Sequence, residues 1–451
     1  MRYLIIILAI CAFIGCESGT ETQFSESRKA ALADSVKQEF LHAWNGYKEY
    51  AWGHDALRPL TKSYRDWYDE SLLMTPVDAF DTMVLMGLDE EAEEAKQLIF
   101  EKLSFDKDFY VQNFEVNIRL LGGLITAYQL DGDQRFLDLA VDLADRLLPA
   151  FDSETGMPYV RVHLQTGEKQ WVQNNPAEIG TIMLEFGTLS KLTGNNTYYD
   201  IAKKATVALY NKRSELDLIG TVINVETGEW DDTTTHISGR IDSYYEYLYK
   251  AWILFGDEDF KEMWETSIAA VNKHLADETD TGFWYGYAEM EVGEVVSTNY
   301  GALDAFMAGL LALSGDLERA KKLQESNFKM WQLHEIEPEG INYSTMEINY
   351  GAYVLRPENI ESAFYLYRLT GEEKYLEQGR IMFQSLVTYC RNDVGYAALS
   401  DVVTKEKSDD MESFFLAETL KYAYLLFAPE STLDLDEAVF NTEAHPFYRS
   451  W

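Results

Sequence analysis

The sequence is poor in cysteine and has one long apolar run. Three of its 451 residues are cysteines, and Cys11 and Cys16 both lie close to the N terminus. Because only Cys390 remains in the rest of the chain, a disulfide-stabilised scaffold is excluded there. The apolar content of 47% and the aromatic content of 14% indicate a globular chain whose hydrophobic core supplies its stability.

Basic residues are half as numerous as acidic ones. The chain has 38 Lys and Arg against 76 Asp and Glu, and its formal net charge is −38. Nucleic acids and anionic membrane surfaces would repel it, because binding to phosphates requires clustered basic side chains. We therefore expect no nucleic-acid partner and a neutral ligand such as a sugar, or a cation. Most of the carboxylates are interpreted as solubilising surface charge.

The long apolar run lies at the N terminus, from Leu4 to Ile14. It is too short for a membrane-spanning helix, and Phe13-Ile14-Gly15-Cys16 at its end resembles a bacterial lipobox. We interpret residues 1–15 as a lipoprotein signal peptide and residues 16–30 as an acylated Cys16 with a polar tether. This places the protein in a bacterial cell envelope, periplasmic or cell-surface, held at the outer membrane by the anchor alone. The alternative is an ordinary cleaved signal peptide with an incidental cysteine.

A repeat of helix pairs follows, in residues 31–451, which we interpret as a single domain. Each unit has an aromatic-rich apolar helix, a turn with glycine, and an amphipathic helix that carries charge on one face. The turns recur roughly every 60 residues, a period longer than that of common solenoid repeats. The turn glycines are Gly132, Gly194, Gly256, Gly315 and Gly371.

The first helix of each pair is apolar on nearly all sides, which predicts burial on both faces. The predicted starts of the seven are Asp78, Glu115, Glu178, Asp242, Ala302, Glu358 and Glu412. An N-terminal helix around Arg28–Trp52 supplies the seventh outer partner. The sequence therefore predicts an all-α fold, an (α/α)7 barrel. Strand-like runs at 159–172, 221–232 and 283–296 predict β-hairpins in the loops at one end.

Six of the seven predicted starts are acidic. Asp and Glu favour the first turn of any helix because they cap it and oppose its dipole, so each carboxylate alone has a structural explanation. Together they converge on one cavity, where carboxylates repel each other unless a cation, a proton or a neutral polyol lies among them. Glycosidic-bond hydrolysis needs a carboxylic acid and a carboxylate, so the residues alone favour a glycosidase or a sugar-binding barrel.

Eight ordered blocks match one known family. They are residues 40–60, 77–88, 114–128, 177–186, 239–250 (GRIDSYYEYLYK), 355–371, 411–422 and 439–447 (VFNTEAHPF). The chain resembles the class I α-mannosidases, glycoside hydrolase family 47, from about His42 to Pro446. The resemblance implies a seven-pair helix barrel and an inverting exo-hydrolase with Ca²⁺ as cofactor. The expected substrate is terminal α-1,2-linked mannose of an oligosaccharide or glycoprotein glycan.

The resemblance also assigns roles to residues. Glu115 matches the general acid, Glu358 the general base that activates water, and Asp242 a third essential carboxylate. The choice of proton donor between Glu115 and Asp242 stays open. Thr442 matches the calcium ligand, through its carbonyl and hydroxyl oxygens, with water completing the coordination. The implied substrate-binding residues are Arg119, Glu178, Arg240, Arg356, Glu361, Glu412 and Glu418.

The chain departs from the family at the fifth inner helix. Many relatives have an Asp-His-Leu motif and a cysteine there, whereas this chain has TNYGALDAF, with Ala302 and Ala305 in place of the histidine and the cysteine. One alternative is a non-hydrolytic mannose-glycan recognition protein of the same fold. Another is a lipid-anchored helical-repeat protein that only captures glycans. Because the chain retains the catalytic carboxylates together with Thr442, we favour the enzyme. We expect it to be a monomer.

Overall fold

The computed structural model describes residues 24–449 and residue 451. The predicted signal peptide and Cys16 lie outside these residues. The first helix begins at Glu26, where the Ser25 hydroxyl accepts a hydrogen bond from the Arg28 amide. Residues 26–30 are therefore helical, and the predicted tether boundary at residue 30 is wrong. The error arose because the first turn of the helix is polar and resembles a linker in sequence. No helix in the described part has the length and apolar character needed to span a membrane.

Seventeen α-helices occur in the described residues. They are α1 (Glu26–Tyr50), α2 (Met74–Asp78), α3 (Phe80–Leu85), α4 (Asp89–Lys102), α5 (Asn113–Val116), α6 (Gly122–Asp131), α7 (Gln134–Leu147), α8 (Pro176–Gly180), α9 (Met183–Thr193), α10 (Asn196–Tyr210), α11 (Asp242–Phe255), α12 (Glu258–His274), α13 (Phe306–Leu313), α14 (Leu317–Gln332), α15 (Glu358–Thr370), α16 (Glu373–Tyr389) and α17 (Leu420–Phe427). Short π-helical turns at Asn117–Leu121 and Phe415–Thr419 lead into α6 and α17. Further 3₁₀ turns lie at Leu148–Phe151, Leu303–Ala305 and Glu430–Thr432.

The helices form two concentric rings. The inner ring consists of α2 with α3, α5 with α6, α8 with α9, and then α11, α13, α15 and α17. The outer ring consists of α4, α7, α10, α12, α14, α16 and α1, which packs against α17 and closes the ring. On α7 the buried residues Phe136, Ala140, Leu143 and Leu147 recur every three or four positions, as expected for an outer helix. The predicted (α/α)7 barrel is confirmed.

The predicted turn glycines follow inner helices. All five have φ between 69° and 93°. This left-handed conformation is favourable for glycine, which has no Cβ, and it ends a helix while reversing the chain towards the outer ring. The repeat that is visible in the sequence is therefore a repeat of helix termini.

The strands are short and lie in the loops. They are β1 (Ala56–Arg58), β2 (Ser63–Arg65), β3 (Tyr110–Gln112), β4 (Arg161–His163), β5 (Lys169–Gln170), β6 (Gln173–Asn174), β7 (Val222–Asn224), β8 (Trp230–Asp232), β9 (Thr234–Thr235), β10 (Ala276–Thr279), β11 (Gly282–Tyr285), β12 (Tyr287–Glu289), β13 (Val295–Ser297), β14 (Asn299–Gly301), β15 (Gly340–Asn342), β16 (Glu347–Tyr350), β17 (Leu399–Asp401), β18 (Glu406–Lys407), β19 (Ala438–Phe440) and β20 (Pro446–Tyr448). Three-stranded sheets have the orders β3-β4-β5, β6-β7-β8, β13-β12-β9 and β14-β15-β16, and the other strands form two-stranded hairpins.

The predicted hairpins are confirmed with one difference. Residues 159–172 and 221–232 contain the antiparallel pairs β4–β5 and β7–β8. Residues 283–296 instead divide between two hairpins, because β11 pairs with the preceding β10 while β12 pairs with β13. The aromatic run there spans the end of one hairpin and the start of the next, which a period-two pattern cannot separate.

The C-terminal hairpin β19–β20 inserts into the barrel, with β19 against α11 and β20 against α6. Its turn, residues 441–445, approaches the start of α6 so closely that a Cβ on Gly122 would lie 2.7 Å from Asn441 Nδ2. Glycine is needed here because another side chain would push the turn away. The turn thus forms the floor of the space that the inner helices enclose.

Candidate active site

A cavity of about 280 Å³ lies at the end of the barrel where the inner helices begin. Among the described residues, eight carboxyl groups and three guanidinium groups line it, together with aromatic and apolar side chains. The charged lining residues are Glu115, Glu178, Asp242, Glu246, Glu358, Glu361, Glu418, Glu443, Arg119, Arg240 and Arg356. Thr442 also lines the cavity. The structure therefore brings together the predicted catalytic, substrate-binding and metal-binding residues apart from Glu412, while Cys16 lies outside the described residues.

Glu412 does not line the cavity. It precedes the π-helical turn Phe415–Thr419 instead of starting the helix, and it accepts a hydrogen bond from Arg65 on β2. Burial raises the pKa of Glu412, and the charge of Arg65 opposes that rise. Its predicted place among the substrate-binding residues is therefore not supported by the geometry, whereas Glu418, inside the turn, faces the cavity.

Two residues with left-handed backbones precede the central carboxylates. Arg240 has a φ of 79° and Leu355 a φ of 68°. Such a conformation costs a residue other than glycine about 1–3 kcal/mol and is common at functional sites. Here it bends the chain so that α11 and α15 begin at the cavity with Asp242 and Glu358. Burial raises the pKa of Glu358, and the charge of Asp242 contributes to that rise.

Burial raises the pKa of both carboxyls to about 7. Asp242 Oδ1 accepts a hydrogen bond from the Ser243 amide at 2.8 Å. Glu358 Oε1 lies 4.0 Å from Arg356, while its buried Oε2 has no hydrogen-bond partner among the described residues. An unpartnered buried oxygen is costly, so it is poised to accept a hydrogen bond from a water molecule or a ligand.

Arg119 connects Glu115 to the floor of the cavity. Its Nε donates to Glu115 Oε2 at 3.0 Å, and its NH1 donates to Glu443 in the C-terminal turn. The π-helical turn Asn117–Leu121 carries Arg119, and such turns are frequent at functional sites. Burial and the like charges of Asp78 and Glu418 raise the pKa of Glu443, and the positive charge of Arg119 opposes them.

A chain of buried ion pairs lies beneath Arg119. Its NH1 is 3.6 Å from Asp78, which also contacts His445 Nε2 at 3.2 Å. His445 Nδ1 lies 2.9 Å from Asp81, and Asp81 lies 2.8 Å from Lys421. Burial lowers the pKa of His445, but the charge of Asp81 and the hydrogen bonds outweigh it and raise the pKa. These ion pairs connect the C-terminal turn to the first inner helix.

Asp78 was predicted to start that inner helix at the cavity. The helix begins earlier, at Met74, so Asp78 is the last residue of α2 and lies fully buried below the cavity. Although burial raises its pKa, the hydrogen bond from His445 and the charge of Arg119 lower it below the ordinary value. Asp78 is therefore a structural partner of Arg119 and does not line the cavity.

Sequence reasoning missed several carboxyls. Glu246 lines the cavity one turn after Asp242 and pairs with Lys250. Glu185 is fully buried, accepts hydrogen bonds from Tyr247 at 2.5 Å and Asn441 at 2.8 Å, and has a pKa that burial raises to about 7. Helical spacing from Asp242 was the available signal for Glu246. An isolated carboxylate in an apolar helix was the available signal for Glu185.

The altered segment of the fifth inner helix contributes another carboxyl. Ala302 and Ala305 are buried and leave no polar group where relatives have histidine and cysteine. Asp304 between them is fully buried, accepts a hydrogen bond from the Gly301 amide at 2.8 Å, and has a pKa that burial raises to about 7. The segment therefore differs from the family pattern in polarity but still places a carboxyl near Asp242, whose charge contributes to that rise.

Known proteins are similar to this chain in sequence and in fold. Residues 39–449 match glycosyl hydrolase family 47. Alpha-mannosidase I MNS5 of Arabidopsis thaliana is 36% identical over 98% of this chain and 81% of its own length. Mannosyl-oligosaccharide 1,2-alpha-mannosidase MNS1 of the same plant is 38% identical over 91% of this chain and 77% of its own length. The structure of the alpha-1,2-mannosidase from Trichoderma reesei aligns with a TM-score of 0.86 at 31% identity, covering 93% of this chain and 99% of that one. The chain therefore belongs to glycosyl hydrolase family 47 and is a glycoside hydrolase.

Proposed function

We propose that the protein is a calcium-dependent, inverting exo-α-1,2-mannosidase that releases terminal mannose from oligosaccharides or glycoprotein glycans. The observation that carries the proposal is the carboxylate-lined cavity, whose floor is the C-terminal turn with Thr442 and Glu443. A pocket with a floor admits the end of a sugar chain and excludes its interior, as exo-hydrolysis requires. The names of the relatives, 1,2-alpha-mannosidases, give the linkage and the sugar.

The buried carboxyls are assigned to two different proton-transfer steps. Inversion requires one group to activate a water molecule and another to protonate the leaving oxygen from the opposite side of the sugar. Glu358, with a free buried oxygen, is proposed as the base that accepts the proton of that water. Proton donation is assigned to the pair Glu115 and Asp242: Glu115 is bound to Arg119, and Asp242 has a pKa of about 7.

The cavity suits a calcium ion held largely through water. The described residues contain no group of three or more His, Cys, Asp or Glu side chains arranged to hold a metal. Thr442, which has carbonyl and hydroxyl oxygens, lines the cavity, and Glu178 Oε2 and Glu358 Oε2 are buried without hydrogen-bond partners in the described part of the chain. Calcium takes six to eight oxygen ligands, including water. We propose that Thr442 holds it, where it would neutralise charge and orient sugar hydroxyls.

Mannose release from α-1,2-mannobiose tests this function. We expect release with calcium and almost none with excess chelator. Thr442→Ala is expected to raise the half-saturating calcium concentration by at least about tenfold, since a lost ligand or ligand partner typically costs that much affinity. Thr388→Ala, on the exposed side of outer helix α16, is the matched control and should leave that concentration unchanged.

The outcomes separate the two candidate functions. Release that is unaffected by chelator would contradict the calcium proposal alone. If no mannose is released under any condition, the proposed mannosidase activity is contradicted. If such an inactive protein still bound the disaccharide, the non-hydrolytic recognition protein would be the better interpretation.

We also propose that the mature chain is a monomer tethered to a bacterial envelope through acylated Cys16, where it trims host, fungal or environmental mannosides. The lipobox-like Phe13-Ile14-Gly15-Cys16 supports this proposal. The relatives compared above are plant and fungal proteins and carry no information on the anchor. Incorporation of a labelled fatty acid, lost in Cys16→Ala, is the expected result, and equal labelling of the two proteins would contradict it.

A further inference from the structure

An exposed tryptophan stands beside the cavity. Trp171 lies between β5 and β6, and 55% of its surface is exposed, unusual for the largest apolar side chain. Its φ of 66° is in the left-handed region, which is strained for tryptophan. The Trp171 carbonyl accepts a hydrogen bond from the Val160 amide at 3.2 Å. The backbone therefore holds the indole in a defined, exposed position.

Arg161 supports one face of that indole. Its Cζ lies 4.2 Å from the centroid of the Trp171 ring. In a chain of net charge −38, Arg161 has no ion-pair partner within the described residues, and its buried Nε has no hydrogen-bond partner there. A guanidinium stacked on one face leaves the other face of the indole open to solvent. The pair thus combines an open apolar surface with an N–H donor, Arg161 Nε, that has no partner among the described residues.

Strand pairing connects this pair to the cavity wall. Arg161 lies directly opposite Gln112 in the β3–β4 register, so their side chains share one face of the sheet. On that face, Gln112 Nε2 donates to Glu178 Oε1 at 3.0 Å, and both residues line the cavity. On the other side of Trp171, the chain reaches the cavity again at Asn175. Trp171 therefore lies at the mouth of the cavity.

We propose that Trp171 and Arg161 form a subsite for a pyranose ring of the oligosaccharide beyond the residue that is released. The apolar C–H face of a pyranose stacks on the open indole face, and the guanidinium donates hydrogen bonds to sugar hydroxyls. A neutral polyol fits because the carboxylates of the cavity would repel an anion. The proposal rests on the proposed function, since a terminal sugar in the cavity places the next rings at its mouth.

The test compares Trp171→Ala on two substrates, α-1,2-mannobiose and a branched oligomannose glycan. We expect kcat/KM to fall about tenfold more for the glycan than for the disaccharide, mainly through KM, which corresponds to a loss of about 1.4 kcal/mol of binding free energy. Arg161→Gln should produce part of that difference. Trp451→Ala is the matched control, because Trp451 is also exposed but stacks on Phe255 at the far end of α11.

Two results would overturn the subsite. Equal losses on both substrates would show that Trp171 supports the cavity itself, and no loss on either would show that the glycan does not contact it. Failure of the proposed function looks different, because the unmodified protein would then not cleave mannobiose. In that case quenching of tryptophan fluorescence by the glycan, compared between the unmodified protein and Trp171→Ala, still decides whether the subsite exists.

Discussion

Substituting glutamine for Glu358 is expected to lower kcat for mannose release by roughly 10³-fold, within the range that a general base contributes. The amide has nearly the shape of the carboxylate but cannot take a proton from water. Glu358 lies 4.0 Å from Arg356, but Arg356 also forms an ion pair with Glu339 at 3.1 Å, so the substitution does not leave a buried charge without a partner. We therefore expect the fold and the affinity for the product to be retained.

The measurement is a progress curve with α-1,2-mannobiose in saturating calcium. Glu258→Gln is the matched control, since Glu258 is exposed on outer helix α12 and should leave kcat unchanged. An aryl mannoside with an activated leaving group separates the roles. Such a substrate needs no protonation, so it would rescue a variant of the proton donor but not Glu358→Gln. Retention of more than about a tenth of kcat would contradict the role of Glu358, because a general base contributes at least 10²-fold.

The pH profile provides a second readout of the same residue. Burial raises the pKa of Glu358 and of Asp242 to about 7. A base must be deprotonated and an acid protonated, so kcat/KM is expected to fall both below and above neutral pH, with limbs that belong to the coupled pair. Loss of the acidic limb in the residual activity of Glu358→Gln would assign that limb to Glu358.

Lys421→Met is expected to lower the free energy of unfolding by about 3–5 kcal/mol, the cost of leaving a buried charge unpaired. Lys421 and Asp81 are almost fully inaccessible to solvent and lie 2.8 Å apart. Without the ammonium group, His445 is the one cationic partner that Asp81 keeps among the described residues. The midpoint of urea unfolding, followed by tryptophan fluorescence, measures the loss.

Two further variants identify the cause. Lys48→Met removes a lysine from an exposed pair with Glu94 and is expected to cost less than about 1 kcal/mol. Adding Asp81→Asn to Lys421→Met removes the unpaired carboxylate, and we expect the double variant to be more stable than Lys421→Met by about 1–3 kcal/mol. If Lys421→Met costs no more than Lys48→Met, the buried chain of ion pairs does not hold the C-terminal turn in place.

Helical periodicity explains why so much of the fold could be predicted. An outer helix carries charged residues on the face that contacts water. An inner helix is buried on all sides and therefore has few charged residues. Glu358 was found because it stands at the predicted start of an apolar inner helix, and Glu418 was found through the family resemblance. A carboxylate inside an apolar helix needs a partner, and this signal for Glu185 was not used. Glu246, one turn after Asp242, was also missed.

The errors lie where long-range contacts override local pattern. Asp78 and Glu412 were predicted at helix starts facing the cavity. The helix of Asp78 begins a turn earlier, and Glu412 precedes a π-helical turn and binds Arg65. A one-turn shift in a helix start changes which side chain faces the cavity, and helix starts depend on partners distant in the sequence.

The sequence by itself determined the number of helix pairs, the positions of the turns, and the family, because local periodicity and ordered motifs need no knowledge of distant contacts. Only the tertiary structure decided which carboxyls share the cavity and which pair beneath it, as in the chain from Arg119 to Lys421. It also decided that Arg161, which contacts the Trp171 ring, lies opposite Gln112 of the cavity wall. The reason is physical: burial, ion pairing and pKa depend on distances between residues hundreds of positions apart, and folding alone brings them together.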